Sequence, residues 1–130
     1  MPFRLTWEPP HGVYREYFGD VSIDQRKQSF DLICGDSRFD DLRYSITDYL
    51  AVQRYEISPT STAENAAFHL AALATNPRIV IAAVATRPDI LATIREFIAY
   101  GFTSAPYEVF DTLEAARAWL AQAREPVAGA

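Results

Sequence analysis

The side chains in this sequence that could do chemistry are few and scattered. His11 lies in a Pro9-Pro10-His11-Gly12 turn. A general base needs an acid or a nucleophile beside it, and none is near in sequence, so a solvated turn histidine is the plainer reading. His69 sits among alanines in the middle of a helical segment and reads as a surface or interface histidine. The two histidines are not at a metal-binding spacing, and the single cysteine, Cys34, does not join them, so no metal site is expected. Cys34 closes a predicted helix. That is the end at which the dipole does not activate a thiol, so it reads as a small buried hydrophobe. Asp40-Asp41 would make half of a carboxylate pair, but two solvated acids at a strand entry explain them as well. There is no glycine-rich phosphate loop and no Gly-x-Ser-x-Gly elbow. No reaction and no cofactor is named by these residues.

Position is more informative. The run Arg78-Ile79-Val80-Ile81-Ala82-Ala83-Val84-Ala85-Thr86-Arg87-Pro88 is short, apolar and rich in β-branched residues. That is the pattern of a central parallel strand buried on both faces. In open α/β sheets, ligands bind beyond the carboxyl ends of the strands. Here those ends are Asp48-Tyr49, Thr86-Arg87 and Asp111-Thr112. Arg87, just before a helix N-terminus, could hold an anion. A salt bridge from Arg87 to Asp48 or Asp111 is the simpler expectation.

The elements that must position these residues follow from periodicity. Residues 3–8 and 13–18 alternate as the two arms of a hairpin, closed by Gly19-Asp20. Ser22 caps a first helix that places Ile23, Phe30 and Ile33 on one face. Residues 42–49 alternate as a third strand, and a loop of about ten residues runs on to Thr60, long enough to be functional. Ser61 or Thr62 starts a second helix, ended by Thr75-Asn76-Pro77. The central strand follows, then a helix over 89–100 stopped by Gly101, a last strand over 107–110, and a helix capped by Asp111-Thr112.

The second helix carries a single charge, Glu64. Ala63, Ala66, Ala67, Leu70, Leu73 and Ala74 supply its inward stripe, and Phe68 falls outside it. A helix apolar nearly all round is buried on more than one side. This implies a subunit interface or the wall of an apolar pocket. Phe68 is expected to join Leu50, Val52, Tyr55 and Ile57 of the preceding loop in one patch, which a two-fold homodimer would cover.

Composition limits the partners. The 130 residues match one ordinary domain, and 49% hydrophobic with 22% charged residues is the globular average. A net charge of −5 disfavours nucleic acid and anionic membrane surfaces. No apolar run is long enough to span a bilayer and no signal peptide precedes Phe3, so no stable membrane insertion is expected. With one cysteine and no disulfide framework, the chain is expected in a reducing compartment, the cytoplasm.

The order ββαβαβαβα implies an α/β domain: a mixed, mostly parallel five-stranded sheet with four helices over residues 1–123, and a frayed tail over 124–130. On this length that order resembles the STAS fold, which groups the SpoIIAA-like anti-sigma-factor antagonists with the lipid-binding SEC14-like proteins. The resemblance is carried by Val109 through Leu120, by Ile46-Thr47-Asp48-Tyr49, and by Asn76-Pro77 through Pro88. It implies a non-enzymatic module that binds a protein partner. The alternative it leaves is a carrier or sensor of a small apolar or lipid-like ligand, with Tyr49, Tyr55, Ile57 and Phe68 around it. An enzyme is the third reading. The antagonists carry a phosphorylatable serine directly after the third strand. The matching stretch here is Asp48-Tyr49-Leu50-Ala51, which keeps the acid but lacks the serine and glycine. Ser61 and Thr62 lie further on, near a helix start that would receive phosphate well, and read as caps instead.

Overall fold

The computed structural model describes residues 2–100 and 105–124. Strands β1 (Phe3–Glu8) and β2 (Gly12–Val21) lead into α1 (Ile23–Cys34). A single 3-10 turn (Phe39–Asp41) precedes β3 (Tyr44–Tyr55) and α2 (Pro59–Thr75). Then come β4 (Val80–Val84), α3 (Pro88–Ala99), β5 (Tyr107–Phe110) and α4 (Leu113–Arg124). The expected order ββαβαβαβα is the observed one. The expected helix stop at Gly101 and the tail beyond Arg124 lie outside the described residues.

The sheet runs β1-β2-β3-β4-β5. β1 pairs antiparallel with β2, and the other neighbours are parallel. Because each new parallel strand is added on the same side, right-handed crossovers place all three connecting helices on one face. That face carries Val13, Tyr17, Tyr49, Ile81 and Ala83, packed under Ile33, Leu73, Ile90 and Ile94. α4 comes back over the opposite face, where Ala116 and Leu120 meet Tyr44, Ile46, Ala82 and Val84.

Local chemistry sets the helix starts. Ser22 Oγ accepts from the Gln25 amide at 3.2 Å while Gln25 Oε1 accepts from the Ser22 amide at 2.9 Å, a capping box. α2 begins earlier than expected, at Pro59, with Ser58 as N-cap and Ser61 as the reciprocal residue three positions on. Proline at the first helical position explains the shift, since its missing N–H costs nothing there.

Two strands run longer than their alternation indicates. β2 continues through Gly19, whose φ of 65° only glycine adopts without strain, so Gly19 does not end the strand. β3 continues to Tyr55, so the ten-residue loop is not there, and only residues 56–58 connect β3 to α2. Register shifts between Glu16 and Phe18, and between Gly19 and Asp20, let β2 and β3 stay paired while the side-chain alternation breaks. That break hides the extension from a period-2 reading. In the central strand Ile81 and Val84 are buried as expected, whereas Val80 is only partly so.

Candidate functional site

The residues singled out from sequence are placed in four different settings. Asp48 accepts from the Tyr14 hydroxyl at 2.5 Å and from the Leu50 amide at 2.9 Å. Tyr49 is buried on the helix-covered face, its ring 5.5 Å from that of Tyr17 and 5.7 Å from that of Tyr55. Burial pushes its phenol well above the usual range. Tyr55 accepts a 2.7 Å bond from Arg26, whose guanidinium lies 4.4 Å from its ring centre. Burial lifts its phenol to about 12.

Arg87 does not reach Asp48 or Asp111. It grips Asp89 through two contacts of 3.1 and 3.0 Å and donates to the Val52 and Gln53 carbonyls. A partner two residues along the chain wins over distant acids because holding it there costs little conformational entropy. That pair holds the Asp89 carboxyl below its usual range. Arg87, Asp89 and Tyr55 line an open groove of about 630 Å³ at the carboxyl ends of β2, β3 and β4, with Arg54, Glu56 and Asp20. Three carboxylates face two guanidiniums there, one of them already engaged, which is poor recognition for a free anion. Thr86 is exposed beside it.

Ser61 and Thr62 are buried, and both hydroxyls donate to the Ser58 carbonyl, at 2.9 and 3.2 Å. On α2 the inward face is one step away from the expected stripe: Thr62, Ala66 and Leu73 are buried, while Ala67, Leu70 and Ala74 are exposed. Phe68 is 43% exposed, with Lys27 Nζ 5.4 Å from its ring centre. The expected patch with Leu50, Val52 and Tyr55 is not assembled. Val52 is buried and Tyr55 packs beside it in the core under α3, while Phe68 borders a groove against Ile23 and Phe30 of α1.

His69 is half-buried rather than set on the open surface. Its ring packs 4.3 Å from Phe30 and 4.9 Å from Phe97, and its Nδ1–H donates to the Asn65 carbonyl at 2.9 Å. Burial holds the imidazole down to about 4, so it is neutral near pH 7. It borders a cavity of about 50 Å³ between α1, α2 and the sheet, walled by Ile33, Leu42, Leu73 and Ile79. Cys34 borders the same cavity, and burial raises its thiol to about 11, so it stays protonated and inert at neutral pH.

One residue of this cavity escaped the sequence reading. Arg15 lies on β2, between Val13 and Tyr17, and points to the same face as both. Its Nη1 donates to Ser29 Oγ at 3.1 Å and its Nη2 to Thr47 Oγ1 at 3.0 Å. Its guanidinium stacks 5.1 Å from the Tyr17 ring centre. Its Nε–H is sealed from solvent and finds no acceptor among the described residues. The signal was present in the alternation: with Val13 and Tyr17 inward, Arg15 must be inward too.

Among the described residues no group of three or more His, Cys, Asp or Glu could hold a metal ion, and no helix is long and apolar enough to cross a membrane.

Comparison with known proteins identifies the fold. The structure of the anti-sigma factor antagonist SpoIIAA in its unphosphorylated form matches with a TM-score of 0.62 at 14% sequence identity, over 92% of this chain and 97% of that one. An uncharacterised DUF3478-family protein from Shewanella loihica PV-4 with a SpoIIAA-like fold matches with a TM-score of 0.54 at 11% identity, over 91% of each chain. No protein-family model and no curated protein matches the sequence. The chain has the SpoIIAA-like fold, as the order of its elements implied.

Proposed function

We propose that this chain is a non-enzymatic, regulatory interaction module that works by docking a protein, and that a second copy of itself is one such partner. The observation that carries this is the outward face of α2. Its exposed residues include Ala67, Phe68, Leu70, Ala71 and Ala74, and Glu64 is the helix's one charge. Phe68 and Leu70 are 43% and 50% exposed, and Ile57, just before the helix, is 40% exposed. A helix that already buries Ala66 and Leu73 against the sheet has no need of a second apolar face unless something covers it. That a protein of this fold is an anti-sigma factor antagonist supports the regulatory sense of the reading. A cytoplasmic setting goes with it.

Light scattering at micromolar concentration tests the proposal. We expect a dimer for the wild type and a monomer for Phe68→Glu, which places a carboxylate in the contact on both subunits. A monomeric wild type excludes self-association. A variant that stays dimeric removes α2 from the contact.

The cavity between α1, α2 and the sheet favours a second reading, a carrier or sensor of a small ligand. Native mass spectrometry of protein purified from cells separates the two: a co-purified ligand supports the carrier.

A further inference from the structure

The cavity bordered by Arg15 is an unusual place for a cation. Its walls are largely apolar, aliphatic and aromatic together, and Leu42 and Ile79 are buried. A guanidinium has five N–H donors. Two from Arg15 have acceptors among the described residues, and both acceptors are neutral hydroxyls, Ser29 and Thr47. Ser29 is itself shared, since its Oγ also meets the Tyr17 hydroxyl at 2.7 Å and donates to the Arg26 carbonyl at 2.8 Å.

No carboxylate pairs with Arg15 among the described residues; the ion pairs there engage Arg4, Arg38, Arg87 and Arg117. The titratable groups nearby do not supply the countercharge. Tyr49 and Tyr107 are held protonated by burial, His69 is neutral, and the Cys34 thiol is raised. Arg15 is half-buried, and a charge partly removed from water with no acid beside it is costly; the usual remedy is a partner of opposite sign with good hydrogen-bond geometry.

We propose that this cavity binds a short-chain monocarboxylate, its carboxylate against the Arg15 guanidinium where that group borders the cavity and its alkyl end against Leu42, Leu73 and Ile79. The proposal rests on the ligand-carrying reading of the cavity and specifies the ligand. A planar guanidinium matches a carboxylate with two parallel bonds, which gives direction as well as attraction. The size follows from the volume. About 50 Å³ holds roughly three to five water-sized groups, the bulk of a two- or three-carbon acid. The apolar part of the wall disfavours phosphate, which has no apolar end to place there.

Titration of the full chain with propionate, propionamide and inorganic phosphate, followed by methyl resonances of Leu42, Leu73 and Ile79, tests this. Propionate should saturate and move these signals. Propionamide, with the same shape and no charge, should bind at least tenfold more weakly, and phosphate should leave them unmoved. Arg15→Gln should abolish the preference for propionate over propionamide. If that variant fails to fold, the comparison of the two ligands on the wild type decides alone. Equal affinity for both overturns the carboxylate assignment and leaves a neutral apolar site, so the carrier reading stands. Phosphate moving the same signals also overturns the assignment. Silence with all three removes the assignment and the carrier reading together.

Discussion

The phenol of Tyr44 crosses the backbone of Gly12, its partner on the neighbouring strand. A β-carbon at Gly12 would lie 2.0 Å from Tyr44 Cζ. The ring is not free to move aside. It is buried, its hydroxyl donates to Glu8 at 2.5 Å, and Glu8 in turn takes two bonds from Arg117 of α4, at 3.0 and 2.7 Å. β1, β2, β3 and α4 are thus locked together around one glycine.

Gly12→Ala is therefore expected to destabilise the fold by about 1–3 kcal/mol through overpacking. The penalty should shrink in a Tyr44→Leu background, where the ring is gone. Denaturant melts of the two single variants and the double variant give the coupling. Equal penalties in both backgrounds would show that the ring is not the cause.

Acid should weaken the protein through His69. Its folded pKa is about 4 against an ordinary 6.5, because burial between aromatic rings penalises the charged form. Between those values the unfolded chain binds the extra proton and the native chain does not, so stability falls as pH drops from 6.5 toward 4. The full effect is about 3 kcal/mol. The wild type and His69→Leu are to be melted at several pH values in this window. The stability of the wild type minus that of the variant should fall steadily with acid, as the wild type loses this contribution and the variant does not. A difference that is constant with pH sinks the assignment.

A phosphate switch at the start of α2 is not expected. Ser61 and Thr62 are buried and both bond the Ser58 carbonyl, so a phosphate on either would have to break the cap. The antagonist-type serine is also missing after Asp48. Intact-mass analysis of protein from its native host should show no phosphate on residues 58–62. A stoichiometric gain of one phosphate there would falsify this.

The order of elements and the central strand were legible in the sequence. Contiguous β-branched residues, capping serines and first-turn prolines act locally, so they can be read without knowing the neighbours. The fold class followed from the same local signals. What needed tertiary structure depends on pairing. β3 extends to Tyr55 because bulged pairing with β2 carries it past the point where alternation stops. α2 turns Thr62, Ala66 and Leu73 inward, because a helix apolar on several sides has no rotation specified by its own pattern. Arg87 settles on Asp89 because proximity along the chain outweighs distant acids. The charge of Arg15 was visible in the chain, and the strand period even placed it inward. Only the packed structure shows that Ser29 and Thr47 are its acceptors and that no acid among the described residues comes with it. Residues brought together from β2, α1 and β3 decide that, and sequence spacing does not encode their meeting.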